Sequence, residues 1–290
     1  MVDHRGRHAD RRAANRSHMA PASTGATLCR AALERVTLTA YGCCVAVELP
    51  DAVVPSLLAA LPPGYRLEAH RSLPQKTWRL SPGPDGAMQA FAGEGVLATD
   101  HDVSFALDVL MSDLELWVAE HSTEFVFVHA GCVAVSDRAI VIPGRTLTGK
   151  STLVAALTSA GGTYYSDEYA LIDTAGCVWP YARPLCIRPP GGGRAHRVSP
   201  ADLGGAVGET PVRIGVVATL RYSEAGWDAL EVGQGEAVLS LIENSVAARR
   251  SPEAVLSALV AATEGAAALR GTRGEADVAA GQLLDGVSAL

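Results

Sequence analysis

No uninterrupted apolar run in the 290 residues is long enough to cross a bilayer, which excludes a helical membrane span. No apolar signal core follows the basic opening either, so the chain is expected in the cytoplasm with no membrane partner. Lysine is almost missing: there are two, Lys76 and Lys150, and every other basic side chain apart from histidine is arginine. The net charge is −7; residues 1–20 carry five Arg against two Asp, or +3, which leaves −10 for the rest. An acidic body of that kind excludes nucleic acid as the expected partner. The six cysteines (Cys29, Cys43, Cys44, Cys132, Cys177 and Cys186) show neither C-x-x-C spacing nor regular intervals. That pattern argues against a zinc site or disulfide framework and for buried free thiols. Cys43 and Cys44 are adjacent in a strand-like run and should point to opposite faces. Internal repeats and low-complexity tracts are also lacking.

What is present fits a folded protein: 48% hydrophobic and 19% charged residues, enough for one large domain or two smaller ones. Met1 to Thr27 has no apolar periodicity and reads as a disordered basic tail, with Met19 as an alternative start. Residues 28–120 read as a small α/β lobe. Its β segments are Val36 to Leu49, Tyr65 to Ala69, Thr77 to Leu80 and Met88 to Phe91, with a helix at Asp51 to Leu61. Val103, Leu107, Leu110, Leu114 and Trp117 recur at helical spacing behind Asp100 and Asp102 as N-caps, so a core-facing amphipathic helix closes the lobe.

Residues 121–290 carry the most specific signal. Gly144 to Ser151 reads G-R-T-L-T-G-K-S, a complete G-x-x-x-x-G-K-[ST] phosphate-binding loop between the apolar run Ala139 to Ile142 and a helix-like stretch from Ser151 to Ala160. Glycines at both ends let consecutive amides (Gly144, Arg145, Thr146, Leu147, Thr148, Gly149) turn toward a polyphosphate at a helix N-terminus. Lys150 is placed for the β- and γ-phosphates, Ser151 for Mg²⁺ and Thr152 for the α-phosphate. One of only two lysines stands where this motif needs one. Phe125 to Val135, the turn Ser136-Asp137-Arg138 and Ala139 to Ile142 form a hairpin, so the strand feeding the loop has an antiparallel neighbour, unlike an ordinary doubly wound sheet. Beyond a helix ended by Gly161-Gly162, the strand Thr163 to Ser166 delivers Asp167 and Glu168 back toward the loop. A strand at Ile214 to Arg221 follows, then helices at Ala237 to Arg249, Pro252 to Thr263 (capped by Ser251) and Glu275 to Leu284.

With the hairpin, the loop and the acidic pair together, residues 121–190 resemble the catalytic domain of HPr kinase/phosphorylase, a serine kinase family whose core is related to ATP-dependent phosphoenolpyruvate carboxykinase. His129-Ala130-Gly131 is similar to the family's His-x-Gly element, and Ser166-Asp167-Glu168 falls where the family has an Asp-Asp pair. The resemblance implies an α/β fold with a P-loop core on a mixed sheet, plus the N-terminal lobe. It implies ATP and Mg²⁺ as cofactors, a peptide or protein Ser/Thr hydroxyl as acceptor, and allows a homo-oligomer. Asp167 becomes the candidate base, Lys150, His129 and Arg188 its catalytic companions, and Ser151 and Glu168 the metal-binding candidates, with Asp173 a weaker one. The chain departs from the family at Leu185-Cys186-Ile187-Arg188, where Cys186 stands in place of a glutamate. Two alternatives stay open: a kinase of a small-molecule alcohol, and an ATP-binding regulatory protein without transfer activity. Gly191 to Arg197 reads either as a loop closing over the acceptor or as a solvated linker.

Overall fold

The computed structural model describes residues 32–68, 73–144, 148–188 and 196–288. The expected basic tail, the end of the strand at Ala69, Cys29, Arg145, Thr146, Leu147 and most of the Gly191 to Arg197 segment lie outside the described residues. The chain is a mixed α/β protein built on two large sheets and a two-stranded ribbon.

The first sheet begins with a hairpin, β1 (Leu33–Ala40) and β2 (Cys43–Pro50). Its two-residue turn places Tyr41 at φ 52 and Gly42 at φ 79, the paired left-handed geometry that matches the twist of antiparallel strands. Alternating Val36, Leu38 and Ala40 face inward with Cys43, Val45, Val47 and Leu49. After β2 the chain forms α1 (Val54–Ala60), then β3 (Arg66–Leu67), β4 (Lys76–Pro82), β5 (Met88–Ala92) and β6 (Gly95–Asp100), in sheet order β3-β1-β2-β4-β5-β6. Helix α2 (Val103–His121) covers this sheet through Leu107, Leu110, Met111, Leu114 and Val118. Asp102 caps it as expected, its carboxylate accepting from the Ser104 amide at 2.9 Å.

The second sheet is assembled around β7 (Val126–Val135) and β8 (Arg138–Pro143). β8 pairs antiparallel with β7 and parallel with β14 (Val212–Tyr222), which is parallel in turn to β16 (Ala267–Arg273). Along the other side of β7 run β9 (Thr163–Ser166) and β10 (Tyr169–Ile172), both antiparallel to it. β11 (Cys177–Trp179) joins β10, and β15 (Asp228–Val232) forms the edge beyond β16. β12 (Leu185–Ile187) and β13 (His196–Val198) make the separate ribbon. One face of the sheet carries α3 (Lys150–Ser159) and α6 (Ala276–Ser288), packed through Leu153, Leu157, Ala280 and Leu283 onto Val133, Ile140 and Val216. The other carries α4 (Gln234–Glu243) and α5 (Pro252–Ala262), packed through Leu241 and Leu259 onto Val128, Cys132 and Val141.

Several expectations need correction. The helix read as Ala237 to Arg249 ends at Glu243, because Asn244 gives its carbonyl to the His129 amide at 2.8 Å and Ser245 bridges to Val128. Pairing with β7 outcompetes another helical turn. The Ser251 side chain makes no capping hydrogen bond; its carbonyl accepts from Val255. The last helix starts one residue late and runs on to Ser288. Cys43 and Cys132 are buried thiols, whereas Cys44 and Cys177 are half-buried and Cys186 is exposed. Among the described residues no helix is long and apolar enough to cross a membrane.

A cluster of aromatic rings gathers where the two sheets meet. The Tyr41 ring, carried by the β1–β2 turn, packs edge-on against Phe125 and Phe127 at 5.6 and 5.2 Å. Tyr169 and Tyr181 pack on Phe127 from the other side. The junction is a small core of its own, and it fixes α2 opposite the end of β7.

Candidate active site

The segment from β8 to α3 is shaped by close approach. The Gly144 amide donates to the His129 carbonyl at 3.2 Å, and a Cβ on Gly144 would stand 2.9 Å from Thr148 Oγ1. Gly149, at φ 83, is the left-handed residue from which α3 starts. Gly131 lets α3 lie on β7: a Cβ there would come within 2.4 Å of Val154 Cγ2. Lys150 folds back so that its ammonium donates to the Gly144 carbonyl at 2.6 Å. Burial lowers the pKa of this ammonium below its usual value, while Asp167 and Glu168 pull it up.

Asp167 and Glu168 lie at the join of β9 and β10, opposite the His129-Ala130-Gly131 stretch of β7. Asp167 is nearly buried at 9% exposure, and its carboxylate accepts from the Cys186 amide at 3.1 Å. The Tyr164 hydroxyl lies 2.7 Å from the Arg183 carbonyl and 3.4 Å from Asp167, so its one proton goes to the nearer carbonyl. His129 tilts over the Tyr169 ring at 4.5 Å. Burial first and Lys150 second hold its pKa below the ordinary histidine value, which favours a neutral imidazole that can accept a proton.

Arg183 is the centre of charge in the site. Its guanidinium donates to Glu115 of α2 at 2.5 Å and to Glu168 at 3.2 Å, tying the first lobe to the acidic pair. Two carboxylates sharing one guanidinium both hold their protons more tightly than usual. Burial is the main cause in each, and Glu115 is pushed up to about 7. The Glu168 side chain keeps 45% exposure, open into the cleft.

These groups line one cleft of about 790 Å³. Its walls bring together Gly149, Lys150, Ser151 and Thr152 with His129, Asp167, Glu168, Cys186 and Arg188, and α2 supplies Asp108, Met111, Ser112 and Glu115 opposite. Nearly every described site residue read from the sequence therefore converges; Gly144 and Thr148 support the segment from outside the lining. Arg188 is exposed at the rim. Asp173 does not join them. Its carboxylate accepts from the Ala175 and Cys177 amides and from the Trp179 indole at 2.9, 2.8 and 2.7 Å, which makes it a turn former.

Sequence reasoning missed Arg183 and Glu115; Arg197, the end of the Gly191 to Arg197 segment, pairs across the ribbon with Cys186 and lines the cleft. One signal for Glu115 was legible: it stands four residues after Met111 and eight after Leu107, on the apolar stripe of its helix. Arg183, in a proline-flanked irregular stretch, gave none.

A hydroxyl (Ser151) and a carboxylate (Glu168) on the same wall are hard oxygen donors. Both line the cleft, and donors of this kind would suit Mg²⁺. Among the described residues no group of three or more His, Cys, Asp or Glu side chains forms a self-contained metal cage. The fold and cleft thus define a mixed α/β protein with a charged, two-lobed site over a G-x-x-x-x-G-K-S segment. No protein-family model, curated protein or solved structure matches the chain.

Proposed function

We propose that this protein is an ATP- and Mg²⁺-dependent kinase, similar in its core to HPr kinase, which transfers the γ-phosphoryl group to a Ser/Thr hydroxyl of a peptide or protein. The observation that carries the reading is convergence: Lys150 from α3, His129 from β7 and Asp167 from the β9–β10 join line one cleft beside the phosphate-loop motif. Phosphoryl transfer asks for charge neutralisation and an acceptor held in line, and little covalent help. Lys150, the loop amides and the arginines of the cleft supply the first. Mg²⁺ held by Ser151 and Glu168 would neutralise charge on the β- and γ-phosphates.

Asp167 is the base. Its Oδ2 is anchored by the Cys186 amide, which leaves Oδ1 to accept the acceptor's proton. His129, which lines the same cleft and is kept neutral by burial and Lys150, is a second acceptor for that proton. Arg188, exposed in the lining of the cleft, is the residue we assign to charge developing on the transferred group. The departure at Cys186 matters less than its side chain implies, since this residue serves Asp167 through its backbone.

A small-molecule alcohol is the second reading. It is favoured by the helix wall: Asp108, Ser112 and Glu115 face the site from α2 and give the acceptor side a polar boundary. Incubation with γ-labelled ATP, Mg²⁺ and candidate peptides, carrier proteins and alcohols decides between them. Label on one peptide hydroxyl supports the first reading and label on an alcohol the second. ATP binding without transfer to any acceptor would favour a nucleotide-dependent binding module. In the kinase, Asp167→Asn should lower transfer by about 10²- to 10⁴-fold with ATP affinity nearly intact, whereas Lys150→Ala should impair both.

A further inference from the structure

Behind the glycine that starts α3 stands an arginine that does not line the cleft. β16 ends at Arg273, whose side chain is nearly sealed from water at 4% exposure. Burial lowers the pKa of its guanidinium below the ordinary arginine value, partly offset by Glu275 and Tyr222. One terminal nitrogen donates to the Gly149 carbonyl at 3.1 Å and the other to the Gly274 carbonyl at 2.8 Å. Among the described residues no carboxylate lies within ion-pairing distance of it. The adjacent acid, Glu275, instead accepts from the Tyr222 hydroxyl at 2.9 Å, while the Tyr222 ring centre stands 5.8 Å from the guanidinium.

A buried cation that no carboxylate contacts, and that Glu275 offsets only through space, is costly, and folded proteins keep one where something else supplies the anion. The Gly149 carbonyl accepts from both the Arg273 guanidinium and the Leu153 amide, at 3.1 Å each, one bond to each lone pair. The fit is also specific, because a Cβ on Gly149 would stand 2.7 Å from the arginine nitrogen. Glycine at 149 is required by its left-handed backbone, and the Arg273 guanidinium packs directly against it. Arg273 does not line the cleft, so it acts through the loop.

We propose that Arg273 is a positioning residue for a polyphosphate group: it clamps the Gly149 turn from behind, aims the first amides of α3 into the cleft, and supplies positive charge that a bound polyphosphate neutralises. The proposal rests on the phosphate-binding reading above. The ligand's chemistry is a chain of phosphates, free or on a nucleotide.

The test uses the full chain and calorimetric titration with inorganic tripolyphosphate and with Mg²⁺-ATP, alongside melting of the ligand-free protein. Arg273→Met keeps the side chain's length and apolar body without its charge. It should weaken both ligands by about ten- to hundredfold while the ligand-free protein melts no lower than wild type. Arg273→Lys, which restores charge without the fork, should recover part of the affinity. Loss for Mg²⁺-ATP alone would place the effect on the nucleoside and overturn the polyphosphate assignment. Wild-type binding with Arg273→Met within twofold of it would overturn the proposal and leave the kinase reading standing. So would a loss of binding matched by a lower melting temperature that Arg273→Lys does not correct. Wild type binding neither ligand would overturn both.

Discussion

Glu115 offers a measurement that depends on the lobe junction and on no assumption about substrate. Its side chain is 10% exposed, and it shares Arg183 with Glu168. Burial and the second carboxylate outweigh the guanidinium, so the carboxyl, ordinarily near 4.5, is pushed up to about 7. A folded-state pKa above the unfolded one means that the folded protein binds this proton more tightly. The stability Glu115 contributes is then full below pH 4.5 and is lost as pH rises through about 7. That gap corresponds to about 3 kcal/mol. Glu115→Gln keeps the shape and still accepts from Arg183 but removes the titration. Urea and thermal unfolding of both proteins at pH 5 and pH 8 should show wild type losing most of that amount relative to the variant, or about 6 °C in Tm for a chain of this size. Parallel pH profiles would refute the reasoning. Wild type gaining on the variant as pH rises would go further: Arg183 would then dominate, and the carboxyl would sit below its usual range.

Gly131→Val places atoms where Val154 Cγ2 already lies, 2.4 Å from the ideal Cβ. It should lift α3 from β7 and cost about 1–3 kcal/mol, read by urea unfolding, with a loss of ATP affinity by titration. An unchanged midpoint would mean that the helix does not depend on this close approach. Tyr164→Phe removes the donor to the Arg183 carbonyl and frees the stretch that carries both Arg183 and the Cys186 amide. About 1 kcal/mol of stability should go with it, and, if the protein is a kinase, kcat should fall more than the KM for ATP rises. Equal changes in both would assign Tyr164 to nucleotide binding instead.

Local pattern carried much of the fold. The β7–β8 hairpin, the strand at 214–221 and the long capped helix were readable because period-2 and period-3.6 patterns and turn residues act over a few residues; the stretch Val36 to Leu49 read as one β segment, and the Tyr41-Gly42 turn that splits it into β1 and β2 was missed. β16 was not readable. Ala267–Arg273 is alanine-rich and short of β-branched side chains, and it becomes a strand because β14 and β15 pair with it on both sides. With β16 went Arg273, a residue whose role exists only once its strand lies beside the start of α3. The helix expected to reach Arg249 was cut short for a related reason, the bond between Asn244 and the end of β7.

The G-x-x-x-x-G-K-S segment, the scarcity of lysine that makes Lys150 stand out, and the acidic pair at the end of a strand are written in the order of residues, because each is a statement about neighbours along the chain. Tertiary structure alone decided what those residues face. Arg183 meets Glu115 across 68 residues and Arg273 meets Gly149 across 124. Separations of that size are closed by sheet pairing and by the aromatic core between the lobes, and pair energies that depend on burial and distance come into being only when that closure has happened.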